Sequence, residues 1–237
     1  MPTPGLYLAV ATIDSLAPAT RSVLSAAERQ KIDQLSAPGR IDEYAAGRVL
    51  LRNLLEAVTG VPAAAHSISV TEKGKPVCRG GPGISISHSR DMVVCAVAET
   101  GEVGVDIEFL DSRRDTGRLA RRFFSPDESE WLASQPQDRF YMLWVLKEAW
   151  LKAIGTGVAG GLDRLQCRVV PPVIDVLGDM PNEPELRLFE MPGAFLALAA
   201  TEAGDTRVQQ WDPSLGKLVG ADDVREIARR GGRSADR

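Results

Sequence analysis

The alternation of apolar and polar residues predicts two helices near the start of the chain. Ser25 and Glu28 form a Ser-x-x-Glu capping box, in which each side chain accepts a hydrogen bond from a free backbone N–H of the other residue. The helical pattern extends over residues 25–35. A longer helical pattern covers residues 40–58 and ends at Gly60, which is typical of a helix C-terminus.

Short segments separated by turns come next and predict strands. Apolar residues alternate with polar residues, or form short buried runs, over residues 67–71, 84–88, 92–98 and 103–108. A turn at Gly74-Lys75-Pro76 separates the first two segments. Because tight turns join the last three segments, the sequence predicts that these form an antiparallel meander.

A similar pattern begins again about 100 residues later. Ser125 and Glu128 form a second capping box, a long helix is predicted over residues 137–154, and a strand over residues 165–170 follows it. The long helices place these residues in matching positions: Tyr44 with Trp144, Arg48 with Glu148, and Arg52 with Lys152. We interpret the pattern as an internal duplication of a helix–helix–strand unit. The alternative is a chance recurrence of common caps.

The duplication predicts an α+β fold with two similar halves, an N-terminal half over residues 1–104 and a C-terminal half over residues 105–228. A cleft is expected at their junction, because ligands often bind at such interfaces. Residues 229–237 are rich in arginine and glycine and are expected to form a disordered tail.

Composition and charge narrow the class of protein. The 237 residues are 44% hydrophobic and carry a formal net charge of −4, which is typical of a soluble globular protein and gives no reason to expect nucleic-acid binding. No segment approaches the roughly 18 apolar residues of a membrane span, and the N-terminus lacks a basic leader, so a cytoplasmic location is expected. The three cysteines and two histidines are too dispersed to form a zinc motif.

Two carboxylates on a predicted strand are candidate metal ligands. Asp106 and Glu108 are two residues apart, so their side chains point to the same face of the strand, about 6 to 7 Å apart along the backbone. Oxygen ligands without a neighbouring histidine or cysteine favour a hard ion such as Mg²⁺ or Mn²⁺. The alternative is the polar outer face of an antiparallel strand.

The second long helix carries a charged stripe among aromatic residues. Trp144, Glu148 and Lys152 are spaced by four residues and therefore lie along one side of the helix, with Lys147 beside them. An exposed Glu–Lys salt bridge is the alternative interpretation. The aromatic neighbours favour a cleft wall instead.

Three further residues could contact phosphates. Ser87 and His88 lie at the end of a predicted strand, where a hydroxyl and an imidazole can both donate hydrogen bonds. Lys75 lies in a rigid turn that could present its ammonium to a phosphate. A structural histidine and an ordinary exposed lysine are the alternatives.

Five motifs in series resemble those of the Sfp-type 4′-phosphopantetheinyl transferases, in the variant whose last motif reads Trp…Lys-Glu-Ala. The resemblance covers about residues 25 to 160. The motifs are Gly74-Lys75-Pro76, Ile86-Ser87-His88-Ser89, Gly104-Val105-Asp106-Ile107-Glu108, Arg122-Phe123-Phe124-Ser125 and Trp144-Val145-Leu146-Lys147-Glu148-Ala149-Trp150-Leu151-Lys152.

The resemblance implies two similar α+β halves related by a pseudo-twofold axis, with coenzyme A bound in the cleft between them. By motif position, Mg²⁺, or Mn²⁺ in its place, would be bound by Asp106, Glu108 and Glu148. Phosphates of coenzyme A would be contacted by Lys75, Ser87, His88, Lys147 and Lys152. Its nucleotide end would be held by Lys31 and Arg48. Glu148 would act as the base, directly or through a metal-bound water, and Lys152 would stabilise or protonate the leaving phosphate. Glu28 departs from the family pattern, since some relatives have a basic residue there.

The implied activity is transfer of 4′-phosphopantetheine from coenzyme A to a serine of an acyl or peptidyl carrier protein, with release of adenosine 3′,5′-bisphosphate. As the resemblance implies, carrier domains present an acidic helix beside the modified serine. We therefore hypothesise that the basic segment after the metal strand binds the carrier. The residues proposed for this contact are Arg113, Arg114, Arg118, Phe123 and Phe124.

Other functions stay open at this point. One alternative is a Mg²⁺-dependent hydrolase that acts on a nucleotide pyrophosphate, because the carboxylates alone do not identify the nucleophile. Another is a non-catalytic module that binds coenzyme A or the carrier. The presence of two halves in one chain suggests a monomer.

Overall fold

The computed structural model describes residues 4–16, 22–157, 161–177 and 184–230. Five α-helices lie within these residues: α1 (Ala26–Asp33), α2 (Pro38–Thr59), α3 (Thr116–Phe123), α4 (Pro126–Ala133) and α5 (Asp138–Ala153). The strands are β1 (Gly5–Thr12), β2 (Ile68–Val70), β3 (Pro76–Cys78), β4 (Gly83–Ser89), β5 (Met92–Ala98), β6 (Val103–Phe109), β7 (Cys167–Val170), β8 (Val173–Val176), β9 (Glu185–Met191), β10 (Ala194–Ala200), β11 (Asp205–Asp212), β12 (Lys217–Gly220) and β13 (Arg225–Arg230). No helix in the described part of the chain is long and apolar enough to cross a membrane.

Local sequence determines where the helices begin and end. The Ser25 hydroxyl accepts the Glu28 N–H, and the Glu28 carboxylate accepts the Ser25 N–H at 2.8 Å, so the predicted capping box forms at the start of α1. Ser125 and Glu128 form the same box at the start of α4. Helix α2 ends at Gly60, whose φ of 72° lies in the left-handed region that favours glycine.

The two long helices cover the outer faces of two stacked sheets. The first sheet has the strand order β12-β11-β1-β5-β4, and the second has the order β6-β10-β9-β13-β8-β7. Helix α2 packs against the first sheet and α5 against the second, which forms one apolar core on each side. A third core lies between the sheets and includes Leu8, Val94, Val105 and Leu198. The chain is therefore an α+β fold of two similar halves, as predicted.

The predicted meander is wrong at its last strand. Strands β4 and β5 pair antiparallel, but β6 leaves the first sheet and pairs with β10 in the second. The physical reason is that β6 has two buried faces. Val105 and Ile107 lie in the core between the sheets, whereas Gly104 and Asp106 face helix α5. Pairing with β10 allows both faces to be covered.

Side chains connect the two sheets where β4 lies beside β6. The connection is made by three alternate serines of β4, namely Ser85, Ser87 and Ser89, which we call the serine seam. The Ser85 hydroxyl accepts a backbone N–H of β6 at 3.1 Å. Ser87 donates to Asp106 at 2.7 Å, and Ser89 donates to Glu108 at 3.3 Å. The seam therefore joins the halves at the two carboxylates of β6.

Each half contains a similar buried arrangement around its capping-box glutamate. Glu28 accepts a hydrogen bond from Arg52 at 2.8 Å, and Arg52 also donates to the carbonyls of residues 63 and 66. Glu128 lies 2.7 Å from Lys147, which donates to the carbonyls of residues 162 and 165. The acids and carbonyls correspond at a spacing of about 100 residues, although the cations come from different turns of the long helices. This correspondence supports the internal duplication.

The chain does not divide between the sheets at a single point. The predicted boundary after residue 104 falls inside β6, and β11 and β12, from late in the chain, complete the first sheet beside β1. The domain limits themselves stay a prediction. Strand β13 includes residues 229 and 230, which pair with β8, so the disorder predicted for these two residues is wrong. Residues 231–237 of the predicted tail lie outside the described residues.

Candidate active site

Helix α5 lies directly over β6, and a glycine permits this approach. A Cβ atom at Gly104 would lie 1.9 Å from the carbonyl oxygen of Ala149, so a side chain there would force the helix away. Trp144, Glu148 and Lys152 lie along one stripe of α5 because they are spaced by four residues. The close packing brings this stripe to the carboxylates of β6.

A cavity of about 390 Å³ collects most of the residues predicted to carry chemistry. Its lining consists of Ile86, Ser87, His88, Asp106, Glu108, Trp144, Glu148 and Lys152. The three predicted metal ligands thus share one cavity with Lys152 and with the predicted phosphate contacts of β4. Asp106 and Glu148 are buried, whereas Glu108 and the edge of His88 reach the solvent.

Lys152 bridges two residues of this cavity by short hydrogen bonds. Its ammonium donates to Asp106 Oδ1 at 2.6 Å and to Ser87 Oγ at 2.7 Å. Ser87 in turn donates to the same oxygen of Asp106 at 2.7 Å. Lys152 thereby offsets the charge of Asp106. Glu108 and Glu148 still make the cavity acidic.

The electrostatics of the cavity follow from burial and from this excess of acid. Burial is the main cause that raises the pKa of Glu148 from 4.5 to about 7, and the neighbouring Asp106 and Glu108 add to the effect. Lys152 opposes the shift. Burial and Asp106 also raise the pKa of Glu108, while Arg114 and Ser89 act in the opposite direction. A cation in the cavity would relieve this repulsion.

The donor set fits a hard divalent ion, although the side chains are not arranged around one. Among the described residues, no group of three acidic, histidine or cysteine side chains is placed to hold a metal. Asp106 turns to Lys152 and Ser87, and Glu108 turns to Ser89. Three carboxylates face this one small cavity, and carboxylate oxygens are the ligands that Mg²⁺ prefers.

A second cavity of about 730 Å³ adjoins the first, and the two share Ile86 and His88. Lys31 and Arg48, predicted to hold the nucleotide end of coenzyme A, both line it. Arg48 is buried, and its guanidinium carbon lies 5.3 Å from the centre of the Tyr44 ring. The volume lies in the range of small-molecule sites, so the cavity can accept a nucleotide.

Glu28, the residue that departs from the family pattern, lines the larger cavity but has cationic partners of its own. Its carboxylate lies 2.8 Å from Arg52 and 4.0 Å from Arg48. The negative charge is therefore offset inside the protein, and Lys31 and Arg48 keep the cavity suitable for an anion.

Lys75 is not brought to either of these cavities. Its ammonium lies 2.5 Å from a carboxylate oxygen of Glu102 and 2.5 Å from the carbonyl oxygen of Ala153. It lines a separate cavity on the other side of the β2–β3 hairpin. The free C-terminal carbonyls of α5 attract the ammonium, which therefore lies away from both cavities, and the phosphate contact of Lys75 stays a prediction.

Lys147 is likewise absent from the cleft. The side chain is fully buried on the opposite side of α5, where its ammonium is bonded to Glu128 and to the carbonyls of Leu162 and Leu165. All three N–H donors of the ammonium have partners. The prediction that Lys147 approaches the pyrophosphate is contradicted by this geometry, and the residue stabilises the second half instead.

The basic segment proposed to bind a carrier is only partly available. Arg113 is 88% exposed and pairs with Asp111 at 3.0 Å, and Arg118 is also exposed. Phe124 is buried against Phe140, which contradicts its predicted role as a surface contact. The remaining two candidates, Phe123 and Arg114, are half-buried and lie against Trp144.

Two contacts of Glu108 were not predicted from the sequence. Ser89 donates to Glu108, and Arg114 lies 3.7 Å from the same carboxylate. The alternation of serines along β4 is a signal from which Ser89 could have been found, because same-face positions repeat every two residues. No local signal distinguishes Arg114 from Arg113.

Two family models match the chain. The model described as the 4′-phosphopantetheinyl transferase superfamily matches residues 102–188. The model described as the 4′-phosphopantetheinyl transferase N-terminal domain matches residues 27–98. The two matches include the residues that line both cavities, but not β1 or strands β10 to β13.

Proteins of this class are similar over much of the chain. The 4′-phosphopantetheinyl transferase HetI of Nostoc sp. is 33% identical over 159 residues, which are 63% of this chain and 67% of that protein. A 4′-phosphopantetheinyl transferase of Bacillus subtilis is 34% identical over 154 residues, 62% of this chain and 67% of that protein. The L-aminoadipate-semialdehyde dehydrogenase-phosphopantetheinyl transferase of Xenopus laevis is 30% identical over 168 residues, 63% of this chain and 55% of that protein. The chain belongs to the 4′-phosphopantetheinyl transferase family.

Proposed function

We propose that this chain transfers the 4′-phosphopantetheine arm of coenzyme A to a serine of an acyl or peptidyl carrier protein and releases adenosine 3′,5′-bisphosphate. The observation that carries the proposal is a pair of adjoining cavities, the smaller at the junction of the halves and the larger within the N-terminal half. One is lined by three carboxylates and Lys152, and the other is large enough for a nucleotide. The nucleotide would lie in the larger cavity, and the pyrophosphate would lie over the smaller one.

Asp106, Glu108 and Glu148 would hold Mg²⁺, and Mn²⁺ could replace it. The support is the donor chemistry described above, in which three carboxylates face one cavity and raise each other's affinity for positive charge. When bound, the ion would offset the charge of the pyrophosphate and polarise its β-phosphate.

The remaining polar residues of the cavity would bind and orient the pyrophosphate. Ser87, His88 and Lys152 line the cavity and can donate hydrogen bonds to phosphate oxygens. Lys152 would also stabilise or protonate the oxygen that leaves with adenosine 3′,5′-bisphosphate. Holding the phosphate in this way favours in-line attack, because the acceptor and the leaving group must lie on opposite sides of phosphorus.

Glu148 is the proposed base for the carrier serine. The serine oxygen forms the new bond to the β-phosphorus, the bond from that phosphorus to the bridging oxygen breaks, and the hydroxyl proton passes to Glu148. Without metal the Glu148 pKa of about 7 suits proton acceptance near neutral pH, whereas a bound metal ion would lower this pKa. The stripe of α5 keeps Glu148 and Lys152 one helical turn apart on the same wall of the cavity.

The carrier would bind beside this cavity on the exposed basic face of α3 and the preceding turn. Arg113 and Arg118 are exposed there, and the face continues through Arg121 and Arg122. Such a surface complements the acidic helix expected of a carrier and would increase the rate of encounter. Because both halves of the cleft come from one chain, a monomer is sufficient for activity.

Incubation with coenzyme A, Mg²⁺ and a panel of apo carriers tests the proposal by mass spectrometry. We expect at least one carrier to gain the mass of one phosphopantetheine, and Asp106→Asn to abolish the gain. Cleavage of coenzyme A without modification of any carrier would favour a hydrolase. Binding of coenzyme A in calorimetry without any turnover would favour a non-catalytic module.

A further inference from the structure

Arg114 contacts two residues of the acidic cavity from outside. Its Nη1 atom lies 3.7 Å from Glu108 Oε2, and its guanidinium carbon lies 5.6 Å from the centre of the Trp144 ring. The backbone of Arg114 is held in the turn before α3 by hydrogen bonds with Asp111 and Gln137. The position is therefore fixed at the backbone, while the side chain, which is 35% exposed, can move.

The charges around the cavity explain why a guanidinium lies there. The ion pairs that described residues make to the three carboxylates involve Lys152, on Asp106, and Arg114, on Glu108. Lys75 and Lys147, which the sequence suggests as phosphate contacts, are bonded to other groups instead. Arg114 therefore supplies positive charge that the acidic cavity would otherwise lack.

We infer that Arg114 is a positioning residue that holds Glu108 in the metal-free centre and releases this carboxylate when a divalent cation enters. The inference rests on the metal assignment of the proposed function. A metal ion bound by Glu108 would compete with the Arg114 guanidinium for the negative charge of this carboxylate. A partly exposed ion pair at 3.7 Å is weak, which makes it easy for a metal to displace.

Trp144 gives the displaced guanidinium a place to remain. A guanidinium over an indole ring is attracted to it by a cation–π interaction even without an acidic partner. Metal entry thus requires a short movement of one side chain rather than of a loop. The cost of this movement, together with repulsion between guanidinium and metal, lowers the metal affinity of the free protein.

Calorimetric titration with Mn²⁺, without coenzyme A or carrier, tests the inference. We expect Arg114→Ala and Arg114→Gln to bind Mn²⁺ about three- to tenfold more tightly than the unchanged protein, because both substitutions remove the competing charge. Arg113→Ala is the matched control. It removes the same charge one residue away, but that guanidinium pairs with Asp111 and is 88% exposed, so the affinity should not change. Thermal melts verify that each variant is folded.

The outcomes separate this inference from the proposed function. Equal or weaker Mn²⁺ binding by the folded Arg114 variants would overturn the inference and leave the transferase proposal intact. The same gain in the Arg113 variant would also overturn it, since the effect would then reflect general charge. If none of the proteins bound Mn²⁺, the inference and the metal assignment would both fail, and the carrier mass assay would still decide the transfer activity.

Discussion

Replacing Glu148 with glutamine should stabilise the metal-free protein at alkaline pH. In the unfolded chain this carboxyl loses its proton near pH 4.5, whereas burial and the neighbouring Asp106 raise the pKa in the folded protein to about 7. Between these values the folded protein binds a proton that the unfolded chain has released. The free energy of unfolding therefore falls as the pH rises through this window, and the full deficit in stability is reached above the pKa of the folded protein. Glutamine has a similar shape without the charge, so the variant avoids the deficit.

The size of the effect follows from the two pKa values. A pKa difference of one unit corresponds to about 1.4 kcal/mol, which gives an upper limit of about 3.5 kcal/mol. The Glu148 side chain keeps some access to water, and screening reduces the expected gain to about 1–2 kcal/mol. For a protein of this size such a gain raises Tm by about 3–6 °C.

Thermal unfolding in EDTA, at about pH 5 and at about pH 8.5, measures this gain on both sides of the window. We expect equal Tm values for the two proteins at the lower pH and a higher Tm for Glu148→Gln at the upper pH. Glu130→Gln is the control, because Glu130 is exposed on α4. Added Mg²⁺ should raise the Tm of the unchanged protein and have less effect on the variant. A Glu148→Gln protein that is no more stable at the upper pH would refute the electrostatic argument.

Three further predictions concern other residues of the site. Lys152→Met should lower kcat by about 10²–10³-fold in the carrier assay, because the leaving phosphate loses its cation, and a loss below about threefold would contradict the assigned role. Charge reversal at Arg113 and Arg118 should raise KM for the carrier about tenfold and leave KM for coenzyme A unchanged; an unchanged carrier KM would rule out docking on this face. Lys147→Met should lower the free energy of unfolding by about 3–5 kcal/mol in denaturant titrations, because it leaves Glu128 buried without a cation, and unchanged stability would show that Lys147 is not structural.

Sequence alone predicted the features that depend on near neighbours. The capping boxes at Ser25 and Ser125 formed as expected, because both partners of each box lie within four residues. Asp106 and Glu108 share one face of β6, as spacing by two on a strand predicts, whereas the approach of Glu148 to them was implied by the family resemblance. The three carboxylates stay predicted metal ligands, because among the described residues their side chains are not arranged around one metal position.

The features that sequence did not predict depend on distant parts of the chain. Strand β6 pairs with β10, about 90 residues away, and its own pattern does not reveal that partner. Lys75 and Lys147 are long flexible side chains, so backbone carbonyls and acids brought near by folding decide where each ammonium lies. Phe124 is buried because α5 places Phe140 beside it. In each case the competing partner is far away in sequence.

The serine seam couples the alignment of the two halves to the positions of the acidic side chains of β6. Ser87 contacts Asp106 and Ser89 contacts Glu108. Ser85 accepts the backbone N–H of residue 105 in the same strand. Because same-face positions repeat every two residues, a slip of β4 along β6 would leave Asp106 or Glu108 with a new neighbour. A hybrid that combines one half with the matching half of another family member should therefore keep its acidic centre only if hydroxyl side chains remain at these alternate positions.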